Sequence, residues 1–246
     1  MRSVARKLIL SLRVSNFFFE PKKKVVLFLK QFNPLQESGF FNSNNLMIKL
    51  IFIRHPETDW NKQKRYMGSA DIPLNNKGKK QARIISGYFK NENISAIYSS
   101  KLKRTLETAE LIAKTHNLKV KQDERLNEID FGEWEGMTFK QIQKKYPGLA
   151  REYLSKPQNI KIPGGESFKE FKNRIKASLE EILAQEDGDV VIVSHGGVNR
   201  VIICELLKIP FSHLWQIKQD GGAINKIEIY EDMNAVSLIN YTPWGN

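Results

Sequence analysis

Two of the chain's four histidines stand directly after short runs rich in isoleucine and valine. Arg54 and His55 follow the run at 48–53, and Ser194, His195, Gly196 and Gly197 follow the run at 190–193. In open α/β sheets, ligands collect at the carboxyl ends of the strands, so these are the positions where chemistry is expected. The alternative is two unrelated, solvent-facing histidines. A third apolar run, Ile-Ser-Ala-Ile-Tyr-Ser-Ser, leads into a helix expected to start near Lys101 and to carry Lys101, Lys103 and Arg104 in its first turn. The helix dipole places about half a positive charge at that end, so clustered cations there destabilise it unless an anion sits among them. A phosphate would resolve the conflict, because backbone N–H groups and a guanidinium fork both suit its oxygens. Lys101 and Lys103 read as solvated surface charges, which leaves Arg104 as the candidate ligand. A fourth segment, Leu126 to Gly136, is dense in carboxylates and aromatics. If it is extended, Glu128 and Asp130 point to the same side, and either could face a site while Ile129 packs inward. A carboxyl beside aromatic rings can have its acid form favoured, as a proton donor to a leaving oxygen requires; simple loop charge is the competing account.

These residues need a scaffold that brings strand ends together. Residues 48–53, 94–98 and 190–193 read as strands buried on both faces of a parallel sheet. Between them, residues 76–90, 101–115, 167–186 and 197–208 place apolar residues at helical spacings of three and four. Ser167 and Glu170 match a capping box at the start of the third helix. Strands at 223–230 and 235–239, joined by a short connection, are expected to form a hairpin. The rhythm is βαβ, and the expected class is α/β with a mostly parallel central sheet.

Composition excludes several functions. With 41% apolar and 27% charged residues, the chain reads as globular. Its single cysteine, Cys204, supports neither an internal disulfide nor a thiolate cluster, and agrees with a reducing, cytoplasmic setting. In the apolar run Val-Ile-Ile-Cys-Glu-Leu-Leu it reads as a buried small hydrophobe. The formal charge of +12 is uneven: residues 1–46 hold eight Lys or Arg against two acids, and residues 47–246 hold 31 against 25. The expected division is therefore a basic N-terminal extension, 1–46, and a domain, 47–246. The apolar pieces of the extension fall short of the roughly 20 residues that cross a bilayer, so no transmembrane segment is expected. The mildly basic remainder could attract an anionic substrate and lacks the pattern of a nucleic-acid module, so no nucleic-acid partner is expected. The four histidines, His55, His116, His195 and His213, show no HExxH or cysteine-pair spacing for a metal. His116 reads as a favourable charge at a helix end, and His213 as part of a packed turn.

The segment Arg54 to Asn61, Arg-His-Pro-Glu-Thr-Asp-Trp-Asn, resembles the Arg-His-Gly-Glu motif of the histidine phosphatase superfamily, also called phosphoglycerate mutase-like. GSADIPLNNKGKKQA, IYSSKLKRTLETAE, LNEIDFGEWEG, PGGES and VSHGGVNRVI follow in the family's order, so the resemblance covers essentially residues 48–240. It implies a three-layer α/β/α sandwich of the phosphoglycerate mutase-like kind. It also implies that His55 is the nucleophile that becomes phosphorylated, that Arg54, Arg104 and His195 hold the phosphoryl oxygens, and that Glu128 protonates the departing oxygen. Asn61 matches a further pocket-lining position. The chemistry asks for positioning and positive charge around the phosphoryl oxygens, with no metal and no cofactor. An acid role for Glu128 predicts activity at acidic to neutral pH that falls at alkaline pH. Pro56 departs from the pattern: it stands where the family has glycine and removes one backbone N–H. Within the superfamily the chain is most similar to the short phosphatases, alpha-ribazole phosphatase above all, and the expected partner is a small phosphomonoester. A cofactor-dependent phosphoglycerate mutase and a non-catalytic basic binding protein are the two alternatives.

Overall fold

A computed structural model describes residues 46–245. The readings made for residues 1–45 lie outside the described residues. The chain runs β1 (Leu46–Arg54), α1 (Asp59–Lys62), α2 (Asn76–Phe89), β2 (Ala96–Ser99), α3 (Lys103–His116), β3 (Val120–Gln122), α4 (Phe139–Lys145), α5 (Pro147–Ser155), α6 (Phe168–Gln185), β4 (Val190–Ser194), α7 (Gly196–Leu206), β5 (Ile224–Tyr230) and β6 (Asn234–Tyr241). Six strands form one sheet in the order β3-β2-β4-β1-β5-β6. The first four in that order are mutually parallel. β5 joins β1 antiparallel and turns back into β6 as the expected hairpin.

Alternation along β1 builds the layers. Leu50 and Phe52 pack into one core with Phe171, Ile175, Val198 and Val201, from α6 and α7. Ile51 and Ile53 pack into the other with Ile85, Phe89, Ala109 and Ile112, from α2 and α3. Helices thus cover both faces, giving the three-layer α/β/α sandwich. Leu50, Ile51, Phe52 and Ile53 are all fully buried. Each such side chain contributes roughly 1.5–3 kcal/mol relative to exposure, so the end of β1 is held firmly on both sides.

The Ser167–Glu170 capping box forms: Ser167 Oγ accepts from the Glu170 N–H at 3.2 Å, and Glu170 Oε2 accepts from the Ser167 N–H at 2.9 Å. Several elements differ from expectation. α3 begins at Lys103 rather than Lys101, with no side-chain cap on its first turn. β3 was not anticipated, because it is three residues long and its side chains are half-exposed or exposed. α4 and α5 fill a stretch to which the sequence reading assigns no element; a second capping box, Thr138 with Gln141, opens α4, and Pro147 stands at the start of α5. Among the described residues, no helix is long and apolar enough to cross a membrane.

Candidate active site

Pairing of β1 with β4 sets Arg54 opposite Ser194, so the two next residues, His55 and His195, emerge side by side. The His55 N–H donates to the Ser194 carbonyl at 2.9 Å, and the two imidazole centroids lie 5.3 Å apart. His55 Nδ1 is 2.8 Å from the Pro56 carbonyl. A carbonyl only accepts, so Nδ1 carries the hydrogen and Nε2 keeps a lone pair. Proline at position 56 thus keeps the one group the ring uses, its carbonyl. Burial, then the guanidiniums of Arg104 and Arg54, push the His55 pKa well below the usual histidine range. The imidazole is therefore neutral at neutral pH.

Around it stand groups that want an anion. Arg54 donates from Nη1 to the Gln219 carbonyl at 2.7 Å, while its buried Nε has no partner. Arg104 comes from the first turn of α3 and is fully buried. Its terminal nitrogens donate to the carbonyls of Ala70 and Gly68, both at 2.7 Å, and its Nε is also without a partner. Burial pulls the Arg104 pKa down to about 10, against the raising effect of Glu128, Glu135 and Asp71, as expected of a cation taken out of water. His195 bonds through Nε2 to Ser100 Oγ at 2.9 Å, and its Nδ1 is likewise buried and unpartnered. Buried polar groups left unmet cost about 1–3 kcal/mol each, so these nitrogens are sites an anion could satisfy.

Of the two carboxylates considered from sequence, Glu128 reaches the site. Its Oε2 accepts from the Gly197 N–H at 3.0 Å, at the start of α7, and its Oε1 accepts from its own neighbour, the Ile129 N–H, at 3.2 Å. Asp130 instead accepts from Gly132 N–H and Ser69 Oγ, which ties a turn. Asn61 closes α1 onto its cap: its Oδ1 accepts from both the N–H and the hydroxyl of Thr58. That leaves its Nδ2 as the donor available to the cavity it lines.

The cavity has a volume of about 520 Å³. Arg54, His55, Asn61 and Glu128 line one part; Tyr66, Phe131, Tyr153, Phe168, Phe171 and Trp215 form an aromatic wall, and Arg200 stands beside it. Arg104 and His195 are fully buried and do not line the open space. Lys101 and Lys103, set aside from sequence, pair with Glu124 and Asp71 at the surface. Cys204 is buried, and burial pushes its thiol up to about 11. His116, the last residue of α3, bonds to the carbonyls of Ile112 and Phe89. His213 lies not in a packed turn but in a short 3-10 helix (Phe211–Gln216), and is exposed. Among the described residues, no group of three or more His, Cys, Asp or Glu side chains gathers as a metal-ligand set.

Several site residues had no sequence signal. Arg174, in the middle of α6, donates to the carbonyls of Arg125, Asn127 and Glu128 and pairs with Glu166, so it holds the strand of chain that carries Glu128. Arg200 donates from Nε to the Ile217 carbonyl and lies 5.4 Å over the Trp215 ring. Both are one basic residue among many on amphipathic helices until tertiary structure places them.

Comparison with known proteins matches residues 50–242 to the histidine phosphatase superfamily, branch 1. Phosphoserine phosphatase 1 of Hydrogenobacter thermophilus is 38% identical over 197 residues, 80% of this chain and 93% of its own length. Phosphoglycerate mutase-like protein 4 of Arabidopsis thaliana is 35% identical over 170 residues, 68% of this chain and 74% of that protein. Among solved structures, the alpha-ribazole phosphatase of Shigella flexneri superposes with a TM-score of 0.71 at 27% identity, covering 79% of this chain and 96% of that one.

Proposed function

The chain belongs to the histidine phosphatase superfamily and is an enzyme that hydrolyses phosphate esters, and from that premise we propose that it works through a phosphorylated His55. The observation that carries this is the neutral imidazole of His55 beside three buried, unpartnered nitrogens, Arg54 Nε, Arg104 Nε and His195 Nδ1. A phosphoryl group seated there meets positive charge around its oxygens and a lone pair at its phosphorus, which is what transfer demands.

In the first step the Nε2 lone pair forms an N–P bond as the P–O bond to the leaving group breaks. Glu128 enters this step protonated and gives its hydrogen to the departing oxygen. In the second, the Glu128 carboxylate takes a proton from water, the water oxygen bonds to phosphorus, and the N–P electron pair returns to Nε2. Ester and water become alcohol and phosphate, and both side chains regain their starting forms. Asn61 Nδ2 serves as a further donor to a phosphoryl oxygen.

The proposed substrate is a small phosphomonoester that fits about 520 Å³. Phosphoserine is the first candidate, from the 38% identity to phosphoserine phosphatase 1. Alpha-ribazole 5'-phosphate is the second, favoured by the aromatic wall of Tyr66, Phe131, Tyr153 and Trp215, which suits a flat leaving group. Free phosphate released from each, measured beside conversion of 2-phosphoglycerate, tests the proposal. Hydrolysis of a monoester that is lost in His55→Ala supports it; isomerisation without net release supports a mutase instead.

A further inference from the structure

Ser100 and Thr105 determine which nitrogen of His195 carries the hydrogen. Thr105 Oγ1 lies 2.7 Å from the Leu102 carbonyl and 3.2 Å from the Ser100 carbonyl. Both are acceptors only, so the single hydroxyl hydrogen of Thr105 is committed to backbone. Ser100 Oγ lies 2.7 Å from Thr105 Oγ1. With the Thr105 hydrogen spoken for, Ser100 must be the donor in that bond, and its own hydrogen is used. The Leu102 N–H also donates to Ser100 Oγ, at 3.4 Å, which leaves that oxygen a second lone pair, so the contact from Ser100 Oγ to His195 Nε2 at 2.9 Å has one possible donor: the ring. All three side chains are fully buried, so no water competes for these bonds from an open surface.

The consequence concerns the other nitrogen. A neutral His195 with its hydrogen on Nε2 presents a bare lone pair at Nδ1, the atom that is buried without a partner. A lone pair repels a phosphoryl oxygen, whereas an N–H would hold it. We propose that Ser100 is a positioning residue that locks His195 as the Nε2–H tautomer, so that an oxyanion enters the site together with one proton, which bonds to Nδ1. That proton is taken from solvent and turns the ring into an imidazolium held at both nitrogens, by Ser100 and by the anion. This rests on the site being a phosphoryl cradle, as proposed above.

The charges facing the ring explain why the proton waits for the anion. Burial first, then the guanidiniums of Arg104 from α3, Arg54 from the β1 end and Arg174 from α6, hold the His195 pKa well below the usual range, and His55 adds to them only when it is itself protonated. The nearby carboxyl group, that of Glu128, is engaged at the start of α7 by the Gly197 N–H. An added dianion reverses the local balance and makes the imidazolium favourable.

Sulfate tests this without ambiguity, because it mimics phosphate and carries no titrating hydrogen near neutrality. The ring nitrogens of His195 are followed by 15N NMR in the full-length, histidine-labelled protein at pH 7.5, with the signal assigned by loss in His195→Asn. The expected result is Nε2–H with a bare Nδ1 in the free protein and hydrogens on both nitrogens with sulfate. In a His55→Asn/Glu128→Gln background, where His195 is the remaining proton acceptor, sulfate affinity should fall about tenfold per pH unit above neutrality, the slope for one linked proton. Ser100→Ala, and the near-isosteric Thr105→Val, should each shift the free ring toward Nδ1–H and flatten that slope. A free wild-type ring already protonated at Nδ1, or a sulfate-bound ring with a single hydrogen, overturns the inference. Sulfate that disturbs neither His55 nor His195 overturns the cradle itself, and this inference with it.

Discussion

Gly197 and Glu128 are fitted to each other. The Gly197 N–H holds Glu128 Oε2 at 3.0 Å, and a Cβ on residue 197 would lie 2.3 Å from Oε1. Only glycine allows the carboxyl to sit against the start of α7, so this backbone position sets where the Glu128 carboxyl stands.

Replacing that glycine therefore tests the proposed role of Glu128 as the acid. Gly197→Ala pushes Glu128 out of place and is expected to lower kcat about 100-fold, the scale of a misplacement near 1 Å. The loss should be large for alkyl phosphates, whose leaving oxygen needs a proton, and small for p-nitrophenyl phosphate. Equal losses on both substrates would argue against Glu128 as the acid.

Glu128→Gln keeps the shape of the side chain and removes its ability to act as the proposed acid. A loss of roughly 10²–10⁴ in kcat on alkyl phosphates is expected, the usual range for general acid–base catalysis. Steady-state rates on a leaving-group series check it, and a flat response along the series is the contrary result.

Arg174→Met tests whether Glu128 is positioned from behind. Its guanidinium holds the carbonyls of Arg125, Asn127 and Glu128, so the variant should lose kcat on alkyl phosphates while still binding sulfate. Sulfate affinity that collapses along with kcat would place Arg174 in the anion cradle instead.

The buried histidines predict a pH response of definite sign. His55 and His195 both have pKa values well below 6.5 in the folded protein, whereas in the unfolded chain they titrate near the ordinary value of about 6.5. Between those values the unfolded state binds more protons, so their contribution to stability is present above about pH 6.5 and is lost as pH falls below it. Denaturant midpoints at pH 7.5 and 5.5 should show this, with a smaller drop in His55→Asn/His195→Asn. A wild-type protein that gains stability on acidification through this window contradicts the assignment. For the same reason, the acid limb of kcat/KM should lie below pH 6.5.

Much of this was legible from sequence because strand ends announce themselves. His55 and His195 follow apolar runs, and the parallel pairing of those runs does the rest. Arg104 stood out because a cation in a first helical turn needs a reason. Ser100 and Thr105 lay in plain view within IYSSKLKRT, yet the role proposed for them needs distances, since it is the 2.7 Å contact of Thr105 to the Leu102 carbonyl that orders the donors in the two side-chain contacts beyond it. The aromatic wall was invisible for a different reason: Tyr66, Tyr153 and Trp215 belong to separate segments and are brought together by packing. β3 escaped because an edge strand with exposed side chains lacks the apolar run that marks the central ones.

The central claim is that the phosphoryl group rests on one imidazole nitrogen. Rapid mixing with a 32P-labelled monoester, quenching in alkali and mapping of the labelled peptide test it most directly. The expected result is an alkali-stable, acid-labile label on His55, formed no more slowly than turnover and absent in His55→Ala. Turnover with no label on His55, or a label formed more slowly than phosphate is released, would contradict it.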